Sequence, residues 1–248
     1  MSSMPQLELP LEPVRATLRG PMFRVVFFDI DGTLIRTGGA GKAAFAYTLS
    51  SVFGVRGVAE RIDFAGRTDI SLVREMFALG GIKPTQENFN RFFEAYPFWL
   101  DYLIRRSHGT VIPGVKQFIA GLQRLQTPPV LGLLTGNIRL GAEIKLRHFC
   151  LWDLFQVGAF ADDSEDRDQI ARCALERASR LLGMELEGRE VLVVGDTPHD
   201  VRCARAIGAR VLCVLTGGAS RKQLEALKPD WLVQDLREFS LERLCVGG

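Results

Sequence analysis

The chain has 248 residues, with 31 Lys and Arg set against 29 Asp and Glu and 47% hydrophobic residues. That length suits one large domain or a core with an insert, and the charge balance leaves no strong field for nucleic acid or an anionic membrane surface. No apolar run approaches the length of a membrane span, and the five cysteines form no C-x-x-C pair, which suits reduced thiols in a cytoplasmic protein.

Residues 1–20 hold Pro5, Pro10 and Pro13 without an apolar stretch, and are expected to be a loosely ordered lead-in rather than a signal peptide. Arg24 to Phe28 reads as a first strand. Its unbroken apolar run, Val25 to Phe28, is the kind buried on both faces of a parallel sheet. The run ends in Asp29-Ile30-Asp31-Gly32-Thr33, where Gly32 permits a sharp turn and Thr33 can fix it through a local hydrogen bond. A calcium loop would need an acidic residue at its twelfth position, counting Asp29 as the first, and Ala40 stands there. Thr37-Gly38-Gly39-Ala40-Gly41 is glycine-rich but lacks the spacing of a phosphate-binding P-loop, so a hinge is expected.

Residues 42 to about 108 read as helices. Apolar stripes run through Phe45 and Leu49, through Leu72, Val73, Met76 and Phe77, and through an aromatic-rich stretch from Phe89 to Ile104. The aromatic stripe is taken as core. Beyond it strands and helices alternate, with strands at Val130–Leu134, Phe155–Phe160, Val191–Val194, Val211–Leu215 and Trp231–Val233. The pattern implies an α/β fold, a Rossmann-like parallel sheet with helices on both faces and an inserted all-helical unit. The expected division is a core of residues 21–37 and 111–248 and a helical insert of residues 38–110.

Three strand ends carry complementary polar groups: Asp29 and Asp31, then Thr135 and Asn137, then Asp196 and Asp200. In a parallel sheet such ends share one edge, where ligands bind. Carboxylates grouped there can hold Mg²⁺ and supply both a nucleophile and a proton carrier, while Thr135, Gly136 and Asn137 can hold phosphoryl oxygens. Asp200 also suits capping of the helix after Pro198. A cation should complete the cage. Arg167 is the candidate and Lys145, inside the helix after Thr135 at a position that can face solvent, the runner-up.

Asp29-Ile30-Asp31-Gly32-Thr33, Thr135-Gly136-Asn137 and Gly195-Asp196-Thr197-Pro198-His199-Asp200 resemble motifs I, II and IV of the haloacid dehalogenase-like (HAD) hydrolases, most closely phosphoglycolate-phosphatase-like members with a helical cap after motif I. The resemblance implies a Mg²⁺-dependent phosphatase acting on a small phosphate monoester. Asp29 would form an aspartyl-phosphate, Asp31 would act as acid then base, and Thr135 would orient the phosphoryl group. Asp29, the carbonyl of Asp31 and Asp196 would hold the metal, with Asp200 in support. Motif III usually offers lysine, and Arg167 stands in its place. Arg67, in the cap, resembles an arginine that reaches the substrate, with Lys42 and Arg36 as weaker candidates. His199 is expected in a loop, not as a metal ligand. Asp31 argues against dehalogenation. A phosphomutase is the alternative, disfavoured because the linker to the cap lacks a histidine. An idle phosphate-binding protein is a further alternative, disfavoured by the intact aspartates. Oligomeric state is open.

Overall fold

A computed structural model describes residues 23–244, so the lead-in expected for residues 1–20 lies outside the described residues, as does Cys245. The central strand β1 (Val25–Phe28) alternates sides: Val26 and Phe28 enter one apolar cluster, Val25 and Phe27 another. This two-sided burial follows from the unbroken apolar run. Short β2 (Ile35–Arg36) follows the Asp-Gly turn.

Three helices come next, α1 (Ala40–Phe53), α2 (Asp69–Leu79) and α3 (Gln86–Ile104). They build a separate apolar cluster around Phe45, Met76, Phe77, Phe92 and Tyr96, with Ile138 and Ala161 joining from the sheet side. The aromatic stripe of α3 is core only on one face. Phe89, Phe92 and Tyr96 are buried, whereas Phe98 and Tyr102 stand in solvent. A 19-residue helix turns through every direction, so an aromatic run longer than its buried stripe must present some rings outward.

β3 (Thr110–Val111) then pairs antiparallel with β2. This ribbon joins the two chain segments that bracket α1–α3, and its strands are too short for a periodic signal. The chain continues with α4 (Val115–Gln123), β4 (Val130–Leu134), α5 (Arg139–His148), β5 (Val157–Ala159), α6 (Arg167–Leu182) and β6 (Val191–Gly195). It ends with α7 (Pro198–Ala206), β7 (Arg210–Val214), α8 (Arg221–Glu225) and β8 (Trp231–Val233).

Six strands form one parallel sheet in the order β5-β4-β1-β6-β7-β8. Helices α4 and α5 cover one face, α6 and α7 the other. Phe28 stands opposite both Leu133 and Val194, so the ends of β1, β4 and β6 lie side by side. The order reverses at β1, the kind of switch point where such sheets bind ligands. Among the described residues no helix is long and apolar enough to cross a membrane.

Candidate active site

Asp29 leaves β1 with its backbone N–H donating to Val194 C=O at 3.0 Å, which ties the first strand end to the third. Its carboxylate is buried and lies with those of Asp196 and Asp200 in a cluster whose oxygens fall within 4.8 Å of one another. Burial pushes Asp29 up to about 7, and the charge of Asp200 adds to this, while Arg167 pulls it down. Asp196 is raised well above the usual carboxylate range, first by burial and then by Asp200.

Each aspartate is held differently. Asp200 Oδ2 accepts from the N–H groups of Asp196 and Thr197 and from Thr197 Oγ1, while its Oδ1 accepts from Arg167. It forms a capping box at the start of α7 and pairs with a buried cation as well. Asp196 Oδ1 accepts the Thr33 hydroxyl at 2.8 Å. Thr33 therefore bonds across the sheet to the third strand end, not within its own turn. Asp196 Oδ2 sits where only glycine fits nearby. A Cβ at Gly217 would lie 1.6 Å from it, and one at Gly32, whose φ is +92°, would lie 2.6 Å away.

The structure brings both candidate cations into the site. Arg167 opens α6, is buried, hydrogen-bonds Asp200 and lies 3.7 Å from Asp29 Oδ1. Lys145 does not face solvent. Its Nζ donates to Asp31 Oδ2 at 2.6 Å and to Asn137 Oδ1 at 2.5 Å, and it is 4% exposed. A signal was present, because Lys145 shares the buried stripe of α5 with Gly141, Ala142 and Leu146. Asn137 in turn donates from Nδ2 to Asp31 Oδ2 and to Thr135 Oγ1, both at 2.9 Å. Asp31 thus rests between an amide and an ammonium, with its side chain still 42% exposed.

A cavity of about 440 Å³ opens over these groups. Asp29, Asp31, Thr135, Gly136, Asn137 and Arg167 line it from the sheet edge. Lys42, Phe45, Phe64, Arg67, Leu72 and Tyr96 line it from the helical side. Lys42 Nζ rests 3.4 Å from the carbonyls of Glu60 and Ile62. The Arg67 guanidinium pairs with Glu75 and the Ser71 carbonyl, so it is engaged within the insert although it borders the cavity. Arg36 donates to the Thr216 carbonyl at 2.6 Å, and Thr216 Oγ1 donates to Gly32 C=O at 2.6 Å. The loop after β7, which no sequence motif announced, is thereby fastened over the Asp-Gly turn. His199 lies in the first turn of α7, not in a loop, and burial, followed by Arg167, lowers its pKa. Two buried side-chain polar atoms lack partners among the described residues, Tyr96 Oη and Arg167 Nε.

A buried trio of carboxylates with raised proton affinity fits a hard divalent cation, which takes oxygen donors and would offset their mutual repulsion.

The family profile described as haloacid dehalogenase-like hydrolase matches residues 26–214. Among curated proteins, pyrophosphatase PpaX of Bacillus mycoides is 25% identical over 224 residues, spanning 86% of this chain and 94% of that protein. Pyrophosphatase PpaX of Bacillus cereus is 26% identical over 224 residues, with 86% and 93% covered. Among solved structures, CbbY from Rhodobacter sphaeroides in complex with phosphate superposes with a TM-score of 0.71 at 20% identity, covering 87% of this chain and 96% of that one. A predicted phosphoglycolate phosphatase from Haemophilus somnus gives a TM-score of 0.69 at 18% identity, with 87% and 95% covered.

Proposed function

This chain belongs to the haloacid dehalogenase-like hydrolases, and on that premise we propose that it is a Mg²⁺-dependent cytoplasmic phosphatase that hydrolyses a small phosphate monoester through an aspartyl-phosphate on Asp29. The observation that carries the reading is the buried Asp29 carboxylate at the end of the central strand, between Asp196, Asp200 and the guanidinium of Arg167. The names of the curated relatives, both pyrophosphatases, support phosphoryl chemistry and add pyrophosphate to the substrates worth testing. Four free thiols among the described residues suit a reducing compartment.

Asp29, the backbone carbonyl of Asp31 and Asp196 would hold the Mg²⁺. Asp200 supports them from behind, because its oxygens already accept from Arg167, Thr197 and the backbone. Bound there, the ion would supply charge neutralisation for a phosphate dianion approaching carboxylates. Asp29 attacks phosphorus, the bond from phosphorus to the leaving oxygen breaks, and Asp31 delivers its proton to that oxygen. Asp31 then takes a proton from water, whose oxygen attacks phosphorus, releases phosphate and restores the Asp29 carboxylate. Asn137 and Lys145 hold Asp31 in position for both steps. Thr135 and the Gly136–Asn137 turn face the phosphoryl oxygens, and Arg167 offsets the negative charge that gathers at Asp29.

Residues 38–110 are assigned as the cap that chooses the leaving group. Lys42 has no carboxylate partner among the described residues and is better placed than Arg67, which Glu75 holds. A screen of phosphate monoesters and pyrophosphate with Mg²⁺ tests the activity. Acid-quenched trapping of a phosphoryl group on Asp29 tests the intermediate. Hydrolysis with no trapped phosphoryl group, undiminished in Asp29→Asn, would exclude this mechanism.

A further inference from the structure

Asp69 is the first residue of α2 and is 5% exposed. An acidic residue at that position ordinarily turns its carboxylate to the free N–H groups of its own helix. Here Thr68 caps the helix by accepting from Ser71 N–H, and Asp69 reaches elsewhere. Its backbone N–H donates to Gly136 C=O at 2.7 Å, and its Oδ2 accepts from Ile138 N–H at 2.8 Å. One residue of the helical insert therefore holds the backbone on both sides of Asn137. Asn137 is the side chain on which Asp31, Thr135 and Lys145 converge.

The fit between these segments is built into the sequence. A Cβ at Gly136 would lie 2.3 Å from the Arg67 carbonyl oxygen and 3.0 Å from Thr68 Cα, so the chain before α2 lies directly on the turn. Thr68 Oγ1 also donates to the Glu165 carbonyl at 3.1 Å, and Arg74 pairs with the Glu165 carboxylate. The site is costly for a carboxylate. Burial pushes Asp69 up to about 7 against the pull of Lys145 and the Ile138 N–H, while Asp31 and Asp162 add negative charge nearby. A residue needed only for packing would avoid that cost.

We propose that Asp69 is a positioning residue: it pins the Gly136–Ile138 backbone to the helical insert, so that the carboxamide of Asn137, and with it Asp31 and Lys145, is set while the insert is docked and loosened when it lifts. The insert thereby gates the acid–base group as well as access to the cavity. The catalytic half of this statement rests on the phosphatase reading; the docking half does not.

The test compares Asp69→Ala with Asp69→Asn in the full chain. Amide hydrogen exchange is followed at residues 136–139, and turnover of p-nitrophenyl phosphate is measured with Mg²⁺. Loss of the acceptor should raise exchange at Ile138 by about tenfold or more in Asp69→Ala, on the scale of an unsatisfied buried N–H. It should lower kcat by a similar factor, with KM for this small ester changed by less than about twofold. Asp69→Asn keeps a carbonyl acceptor and should restore both protection and most of kcat. Unchanged exchange in Asp69→Ala overturns the proposal, as does an Asp69→Asn variant impaired like Asp69→Ala while its exchange is normal. Should Asp69→Ala fail to fold, Asp69→Glu, which moves the acceptor by one methylene, takes its place with the same two readouts. A wild-type chain that turns over no phosphate ester overturns the phosphatase reading, and the exchange arm alone then decides whether Asp69 holds the turn.

Discussion

Lys145 Nζ lies 2.6 Å from Asp31 Oδ2 across 114 residues of sequence, while Arg167 pairs with Asp29 and Asp200 on the other side of the same strand end. The two cations serve different carboxylates, so their removal should have different signatures. Lys145→Ala should lower kcat by about a hundredfold, the scale of losing one preorganised donor, with a smaller fall in stability than Arg167→Ala, because the Asp31 side chain is 42% exposed and water can take up its charge. Steady-state kinetics beside thermal unfolding separates the cases. Normal turnover in Lys145→Ala would remove Lys145 from the chemistry.

Arg167→Ala should cost stability as well as turnover. It leaves Asp29 and Asp200 buried without their common cation, a loss on the order of 3 kcal/mol when one partner of a buried pair is removed. Arg167→Lys should recover part of both. Denaturant unfolding of the metal-free variants measures the first effect. A variant as stable as the parent would show that the pair with Asp200 contributes little.

Metal binding should be linked to pH. In the metal-free protein Asp29 is raised from 3.8 to about 7, so the folded state holds its proton more tightly than the unfolded chain does. Its contribution to stability is therefore fully present below about pH 4 and is lost as pH rises through 7. Mg²⁺ held as proposed would need the ionised carboxylate and should offset that loss. The rise in melting temperature on adding Mg²⁺ should be larger at pH 8 than at pH 5.5. Equal rises at the two values would mean that Asp29 does not titrate with metal binding.

Gly217→Ala should disable the site from a loop that carries no acidic group. The new Cβ would fall 1.6 Å from Asp196 Oδ2, so the carboxylate or the loop must move. Mg²⁺ affinity and kcat should both fall by about tenfold or more, given how steeply catalysis depends on small displacements. Isothermal titration with Mg²⁺ reads the first directly. Unchanged affinity would show that the loop after β7 yields without disturbing Asp196.

Tyr96→Phe should leave the fold intact and raise its stability. Tyr96 Oη is fully buried without a partner among the described residues, and an unsatisfied buried hydroxyl costs on the order of 1–3 kcal/mol. Its own proton affinity is raised by burial and by Asp69 and Asp31, so it stays a neutral phenol throughout the working range. Thermal unfolding of the variant provides the check. A drop in melting temperature would mean that the hydroxyl bonds to something, most simply an ordered water.

Local patterns in the sequence determined the six strands of the sheet, the long helices and the cluster of aspartates at the strand ends, but not the two-residue strands β2 and β3. An apolar run such as Val25–Phe28 is a strand because of its own side chains, and Asp29 ends it wherever the rest of the chain goes. The parallel order then follows from alternation of strands with helices, which is also a local signal. Only the tertiary structure decided which distant groups meet these aspartates. Lys145 could have faced water until α5 packed against α3 and the sheet, Thr33 could have bonded within its turn until Asp196 arrived beside it, and Asp69 could have capped its own helix until the Gly136 turn came within reach. Such bonds are absent from any window of sequence, because a side chain's direction and its partner's position are fixed by the packing of elements far apart in the chain.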